Sequence, residues 1–234
     1  MKATLHHVDT LTDSIKTFWF EPEQPLRFTA GQYTELYLPH DNPDDRGERR
    51  WFTISSSPTK ELFSITTKYA AEKPSTFKQA LFAMQPGDQA DAAEAMGDFV
   101  LPKLAQTPLV FVAGGIGLTP FHSMFEWLAD TGERRDINFL YAVRSEDDIV
   151  FQDTFERADI HATIVIGEPS PDWGGLSGRL TADTIQNYGN ISDDALVYIS
   201  GPESMIETLK NDLIKAGVKK QQVVTDDFPG YTSL

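Results

Sequence analysis

The stretch from Pro108 to Pro120 constrains the fold more than any other part of the chain. Pro108 to Val112 is a short apolar run of the β-branched and aromatic kind that forms a buried strand. Ala113-Gly114-Gly115-Ile116-Gly117-Leu118-Thr119-Pro120 follows, and then Phe121, Met124, Phe125 and Leu128 recur at spacings of three and four, as one face of a helix. Thr119 is the expected N-cap, and Pro120 suits the first helical position, where a missing N–H costs nothing. Glycines ahead of such a helix let a phosphate or a ring approach the backbone, and the helix N-terminus favours an anion. A glycine pair alone would equally make a plain strand-to-helix turn; the capped helix and the chain beyond it favour nucleotide binding. The turn is not a phosphate-binding loop of the Gly-Lys-Ser/Thr kind, and Pro120 stands where G-x-G-x-x-G wants its third glycine.

From Leu104 onward strands and helices alternate. Strands are expected at 109–113, 137–143, 162–166, 196–200 and 222–225, and helices at 120–129, 149–157, 181–188 and 202–216. Such alternation implies a parallel sheet with helices on both faces, whose ligands sit at the carboxyl ends of the strands. Arg144-Ser145 lies at one such end, and Ser200-Gly201-Pro202 at another, with Met205 one turn into the next helix. An arginine at the end of the second strand suits a 2′-phosphate on ribose. Glu146, Asp147 and Asp148 crowd the same loop, so an exposed arginine with no ligand stays open as the alternative. Asp147 or Asp148 is expected to cap the helix that follows.

Before Leu104 the signals are different. Six short strands separated by turn residues, with one helix near 75–84, suggest a small antiparallel barrel. The polar segment His40 to Glu48 reads as an exposed loop. Within Arg49-Arg50-Trp51-Phe52-Thr53-Ile54-Ser55-Ser56, period two puts Arg50 and Phe52 on one face and Trp51 and Thr53 on the other. Ser75 or Thr76, after Lys73-Pro74, can cap a helix whose N-terminus faces a phosphate, or be an ordinary cap. His6-His7 is a poor metal pair, because strand neighbours face opposite ways. Two domains are expected, 1–103 and 104–234.

Composition sets limits. The formal charge of −15 disfavours non-specific nucleic-acid binding and anionic membranes. No cysteine is present, which excludes disulfides and cysteine-ligated zinc or iron–sulfur clusters. No apolar run reaches membrane-spanning length, and the start lacks a signal-peptide core, so the expected location is the cytoplasm. A soluble part of a longer or membrane-associated system is the other setting left open.

The order of these motifs resembles the ferredoxin–NADP reductase superfamily, along essentially the whole chain. That family's flavin motif is Arg-x-Tyr-Ser/Thr followed by small residues, and Arg50-Trp51-Phe52-Thr53-Ile54-Ser55-Ser56 matches it except at Phe52. Gly114 to Pro120 looks like its nicotinamide-nucleotide loop. Ser200-Gly201-Pro202 with Met205 is similar to its Cys-Gly-Pro-x-x-Met, with serine for cysteine, and Asp227-Phe228 resembles its acidic-aromatic tail.

The resemblance implies an antiparallel β-barrel domain that binds flavin, then an α/β, parallel-sheet, Rossmann-like domain that binds NADH or NADPH, with hydride passing between the rings. FAD is favoured over FMN, and no metal is expected. Arg50 would pair with flavin phosphate, Phe52 would lie against the isoalloxazine, and Thr53 would donate to flavin N5, with Trp51, Ile54 and Ser55 completing the motif. Thr67 and Lys68 would present backbone to the ribityl chain, and Pro74, Ser75 and Thr76 would hold the pyrophosphate. Gly114, Gly115, Gly117, Thr119, Pro120, Arg144, Ser145, Gly201, Pro202, Met205 and Asp227 would hold the nicotinamide nucleotide. Ser200 and Phe228 would lie near the nicotinamide, as catalytic positions beside Thr53, and Phe228 (or Tyr231) would gate the flavin face. Electrons would leave to a separate acceptor protein or domain. A non-catalytic nucleotide-binding subunit is the competing function.

Overall fold

The computed structural model describes residues 1–69 and 74–226, which fall into two compact units, Met1–Val100 and the part from Leu101 onward. In the first unit the strands are β1 (Lys2–Thr10), β2 (Ile15–Pro22), β3 (Tyr33–Tyr37), β4 (Arg49–Thr53), β5 (Phe63–Lys68) and β6 (Gln89–Ala92), with one helix, α1 (Thr76–Ala83). They form a six-stranded sheet in the order β4-β3-β6-β1-β2-β5, with every pairing antiparallel. The chain leaving β4 then reaches β5: Ser55 N–H donates to the Ser64 carbonyl at 2.8 Å, which joins the two ends of the sheet into a barrel. Strand alternation fills the interior, where Leu5, Phe18, Phe20, Leu36, Phe52, Ile54, Phe63 and Ile65 pack with Phe77 and Leu81 of α1. Each fully buried ring or branched side chain contributes about 1.5–3 kcal/mol.

Two details depart from the sequence reading. β6 has only four residues and a weak pattern, Gln-Ala-Asp-Ala, so no strand signal marked it. At His6-His7 the register of β1 shifts between Leu5 and His7, and this bulge brings both imidazoles together, with their Nδ1 atoms 2.7 Å apart. The rule that neighbours face opposite ways fails at that bulge.

The second unit has strands β7 (Leu109–Gly114), β8 (Ile137–Val143), β9 (Ala162–Ile166), β10 (Leu176–Ser177), β11 (Leu196–Ser200) and β12 (Val223–Thr225). Its helices are α2 (Thr119–Thr131), α3 (Gln152–Arg157), α4 (Ala182–Gly189) and α5 (Glu203–Lys215). The sheet order is β10-β9-β8-β7-β11-β12, with all neighbours parallel. Side chains alternate along β7. Val110 and Val112 face a layer containing Ile185, Leu209 and Leu213. Phe111 faces Phe121 and Phe125 of α2, with ring centroids 4.6 and 5.9 Å away. Both faces of the sheet are therefore covered, as a parallel sheet requires. The chain steps outward from β7 through β8 and β9 to β10, then returns to place β11 on the other side of β7. That reversal puts a topological switch point between β7 and β11, the usual place for a ligand in such a sheet.

Candidate functional site

In the first unit, Arg50 is the organising residue. It sits in the middle of a strand yet is only 5% exposed. Its partner face is α1, with the guanidinium 5.3 Å from the Phe77 ring, and Phe52 two residues on lies 5.8 Å from the same ring. The two side chains share a face, and that face points inward. The guanidinium donates through Nη1 to the carbonyls of Arg46, Gly47 and Arg49 at 2.7–2.8 Å, and through Nη2 to Asp44 Oδ1 at 2.7 Å. Its Nε–H is buried and has no acceptor.

Asp44 links this cation to the helix. Its Oδ1 also accepts from the Arg46 N–H at 3.1 Å, and its Oδ2 from the Thr76 N–H, the first of α1, at 3.2 Å. Burial alone would raise the carboxyl's pKa, but the Arg50 hydrogen bond and charge, with the two backbone donors, hold it below the ordinary aspartate value. Ser75 is the N-cap of α1, accepting from the Lys78 N–H at 3.2 Å. Thr76 serves the loop instead: its hydroxyl oxygen accepts from the Asp44 N–H at 2.9 Å and lies 3.0 Å from His40 Nε2. An open cleft of about 410 Å³, lined by His40, Asp41, Asn42, Thr76, Gln79 and Ala80 among others, adjoins this first turn. The segment 40–48 is thus a structured bridge from Arg50 to α1. Asp44 is the residue the sequence reading missed, and the one signal for it was an acid six residues ahead of the arginine.

The other candidates on this unit fall into two groups. Thr53 closes β4 and is 7% exposed, as is Phe52, which belongs to the core. Trp51, on the opposite face, keeps more of its surface open and tilts against Tyr33 with centroids 5.9 Å apart. Ile54 and Ser55 are fully buried. The Ser55 hydroxyl is within 2.9 Å of Ser64 Oγ and 2.8 Å of Thr66 Oγ1, which in turn is 2.9 Å from Thr17 Oγ1. Those hydroxyls satisfy one another inside the barrel, so the small residues of the motif serve strand closure. Thr67 is buried, and the Lys68 carbonyl accepts from Lys78 Nζ at 2.8 Å. Pro74 O accepts from Gln79 Nε2 at 3.3 Å.

In the second unit the two turns at the switch point are pressed together. A Cβ on Gly117 would lie 2.5 Å from both Cα and N of Gly201, and one on Gly114 would lie 2.5 Å from Met205 Sδ. One on Gly201 would lie 2.6 Å from Met205 Cε. These glycines are required by the packing of one turn on the other, and Met205 fills the gap between them. Gly115 differs: its φ is +53°, a left-handed conformation, and nothing lies within 4 Å of the position of its Cβ. It is the glycine that leaves backbone open. Thr119 does not cap α2, because a 3₁₀ turn at Gly115–Leu118 runs straight into the helix, and its hydroxyl donates back to the Ile116 carbonyl at 3.2 Å. Pro120 is buried in the first turn, as expected.

Ser200 ends β11 opposite Ala113, and its hydroxyl donates to Asp226 Oδ2 at 3.1 Å; both residues are buried. Gly201-Pro202 carries the chain into α5, with Pro202 exposed as its N-cap residue. Arg144 is exposed and pairs through Nε with Glu168 Oε2 at 3.1 Å. Asp147 and Asp148 do not cap α3. With Glu146 they form a 3₁₀ turn after Ser145, and α3 starts only at Gln152, from a left-handed Phe151. The Ser170 N–H on Glu146, at 2.9 Å, holds that carboxyl below its ordinary pKa and ties the loop after β8 to the loop after β9. Asp227, Phe228 and Tyr231 lie outside the described residues, as does Lys73. No helix among the described residues is long and apolar enough to cross a membrane.

Residues 111–211 match the oxidoreductase NAD-binding domain family. Among curated proteins, the chain is 22% identical to flavohemoprotein A of Dictyostelium discoideum over 95% of its own length and 59% of that protein's. It is 27% identical to the glycine betaine monooxygenase reductase subunit of Chromohalobacter salexigens, over 93% of the chain and 61% of that protein. The chain thus spans about 60% of the length of these relatives. Among solved structures, it superposes on the cytochrome b5 reductase domain of Ulva prolifera nitrate reductase with a TM-score of 0.83 at 18% identity, covering 96% of each chain. It matches a ferredoxin NADP⁺ reductase from Neisseria gonorrhoeae, solved with bound FAD and NADP, with a TM-score of 0.79 at 20% identity, over 97% of each. An antiparallel barrel and a parallel switch-point sheet that matches an oxidoreductase NAD-binding domain thus stand in one chain, with the fold of the cytochrome b5 reductase and ferredoxin NADP⁺ reductase structures.

Proposed function

We propose that the protein is an NAD(P)H-dependent flavin oxidoreductase: hydride passes from the nicotinamide to flavin held by the first unit, and electrons go on to a separate acceptor protein or domain. The observation that carries this reading is Arg50, a cation nine-tenths buried, with one N–H lacking an acceptor, joined through Asp44 to the N-terminus of α1. Together they make a seat for the phosphate of a flavin. FAD suits this seat better than FMN, because the 410 Å³ cleft beside Thr76 gives room for the nucleoside half.

When bound, the flavin supplies an acceptor atom, N5, for the hydride. The chain's own contribution begins with Arg50 and the α1 N-terminus, which fix the phosphate end. Thr53, three residues along β4 from Arg50, would donate a hydrogen bond from its hydroxyl to N5 and stabilise charge developing there. Trp51, with its partly open face, supports the ring system, and Phe52 stiffens the strand by packing on Phe77. In the second unit Gly115 offers open backbone, and the α2 N-terminus behind it favours the dinucleotide's phosphates. Ser200, its hydroxyl held by Asp226, has a fixed orientation at the end of β11, where the nicotinamide carboxamide or its reacting edge is expected.

The relatives include a monooxygenase reductase subunit, so a partner oxygenase or a carrier protein is a fitting acceptor. The deciding experiment is a visible spectrum of the purified protein before and after anaerobic NADH or NADPH. A yellow protein that bleaches supports the reading. A colourless protein that binds nucleotide but takes up no added flavin supports a non-catalytic binding subunit.

A further inference from the structure

Asp44 occupies the position that the flavin reading assigns to a phosphate. One carboxylate bridges the buried guanidinium of Arg50 and the first N–H of α1, at 2.7 and 3.2 Å. Both donors are of the kind that gather oxyanions. The loop carrying the carboxylate is itself pinned. The Asp44 N–H is held by Thr76 Oγ1 at 2.9 Å. That hydroxyl meets His40 Nε2 at 3.0 Å, while His40 Nδ1 donates to the Leu38 carbonyl at 2.8 Å. A carbonyl only accepts, so Nδ1 carries the proton and the Thr76 hydroxyl donates to Nε2.

Resting on the flavin reading above, we propose that Asp44 is an internal occupant of the flavin phosphate seat, and that it sets the discrimination between phosphorylated and unphosphorylated flavins. A flavin mono- or dinucleotide must displace the carboxylate, whereas riboflavin, which carries no phosphate, makes no demand on the seat.

Two further observations point the same way. Asp44 leaves the seat incompletely filled, since Arg50 Nε–H stays buried without an acceptor. A diphosphate brings more acceptor oxygens and more charge than one carboxylate, so it can satisfy what Asp44 does not. Further positive charge lies near Arg50. Lys78, half-buried on α1, has its pKa depressed to about 8, first by burial and then by Arg46 and Arg50. Arg46 and Lys78 thus add positive charge in the neighbourhood of Arg50, which suits an anion more highly charged than one carboxylate.

The test titrates flavin-free full-length protein with riboflavin, FMN and FAD, following flavin fluorescence, for the parent and for Asp44→Asn. The asparagine keeps the loop's size and its backbone N–H on Thr76 Oγ1, while removing the competing charge and one of the two acceptor oxygens. The expected result is that FMN and FAD bind about tenfold more tightly to the variant, while riboflavin changes less than about twofold. A variant in which all three flavins shift together, or in which FMN and FAD bind no better, overturns the inference and leaves the flavin reading intact. Failure of both proteins to bind any flavin overturns the flavin reading and this inference with it. Hydrogen exchange on the unmutated protein gives an answer independent of the variant's folding. FAD should speed amide exchange across 40–48 and riboflavin should not; equal protection with both ligands overturns the proposal.

Discussion

The candidate sites of the two units are built by different means. In the second unit the site is made of backbone: Gly114, Gly117 and Gly201 let two strand-to-helix turns touch, and only Gly115 leaves open space. In the first unit the seat is made of side chains brought together across 26 residues, Arg50 on β4 and Thr76 on α1, with Asp44 between them. A backbone site leaves its mark as residues that cannot be anything else. A side-chain site leaves an arginine and an aspartate, which any surface loop also contains. The first kind is therefore intolerant of substitution, and the second is bridged by a carboxylate of the chain itself.

The largest effect should separate the glycines. Gly117→Val places a side chain against backbone atoms already 2.5 Å from the ideal Cβ, and neither turn has slack. It should lower the stability of the second unit by about 3 kcal/mol. Gly115→Ala meets no neighbour and bears only the left-handed backbone cost, about 1 kcal/mol. Urea unfolding of the two variants checks the difference; equal losses would mean that the turns are not pressed together.

Next in size is Thr53→Ala. Loss of the hydroxyl proposed to serve N5 should slow flavin reduction by roughly ten- to a hundredfold, about 1.4–2.8 kcal/mol, with little change in nucleotide affinity. Stopped-flow reduction by NADH or NADPH measures it. An unchanged rate would remove Thr53 from the reaction and leave β4 only its phosphate role.

How far each unit could be read in advance follows from the same contrast. Strand–glycine–helix order around 108–120 made the parallel sheet legible, because local spacing carries it. The strand at 89–92 was invisible, since four residues of Gln-Ala-Asp-Ala take their conformation from β1 and β3 rather than from their own pattern. The glycine motif was found, but its main physical reason was not: Gly117 meets Gly201 across 84 residues of sequence, and no local rule foresees that contact. In the same way His40 to Glu48 read as plain loop, although Asp44 ties it to α1. Thr119 failed as a cap because a 3₁₀ turn supplied the helix start instead.

A smaller effect concerns Lys78. Burial and two arginines lower its pKa to about 8 from 10.5. Between those values the folded form is neutral while the unfolded form is still protonated, so unfolding takes up a proton and stability rises with pH across that window. Below about 8 both forms are charged and the folded form bears the full cost. Lys78→Met should abolish this rise, on the order of 1 kcal/mol for a partly buried group, in urea unfolding followed from about pH 8 to about 10.5. A phosphate in the seat should restore the proton, so FAD binding near pH 8 should be accompanied by proton uptake.

The smallest effect expected is at Arg144, and its size follows from where the side chain sits. Unlike Arg50, it is exposed, and its Nε is paired with Glu168, itself largely exposed, at 3.1 Å. A 2′-phosphate on the adenine ribose would be drawn to the guanidinium, but it would have to compete with Glu168 and with water for the same donors. Exposed pairs of this kind are worth well under 1 kcal/mol. Asp147 and Asp148 do not fold back as a helix cap, so their charge stays in the loop and weakens the attraction further. Arg144→Ala should therefore lower the ratio of kcat/KM for NADPH over NADH by only about twofold, and Glu168→Gln should raise it by a similar factor. Opposite shifts from the two variants would place the ribose at this pair. A ratio unmoved by both would mean that Arg144 serves only to hold the loop after β8 against the loop after β9.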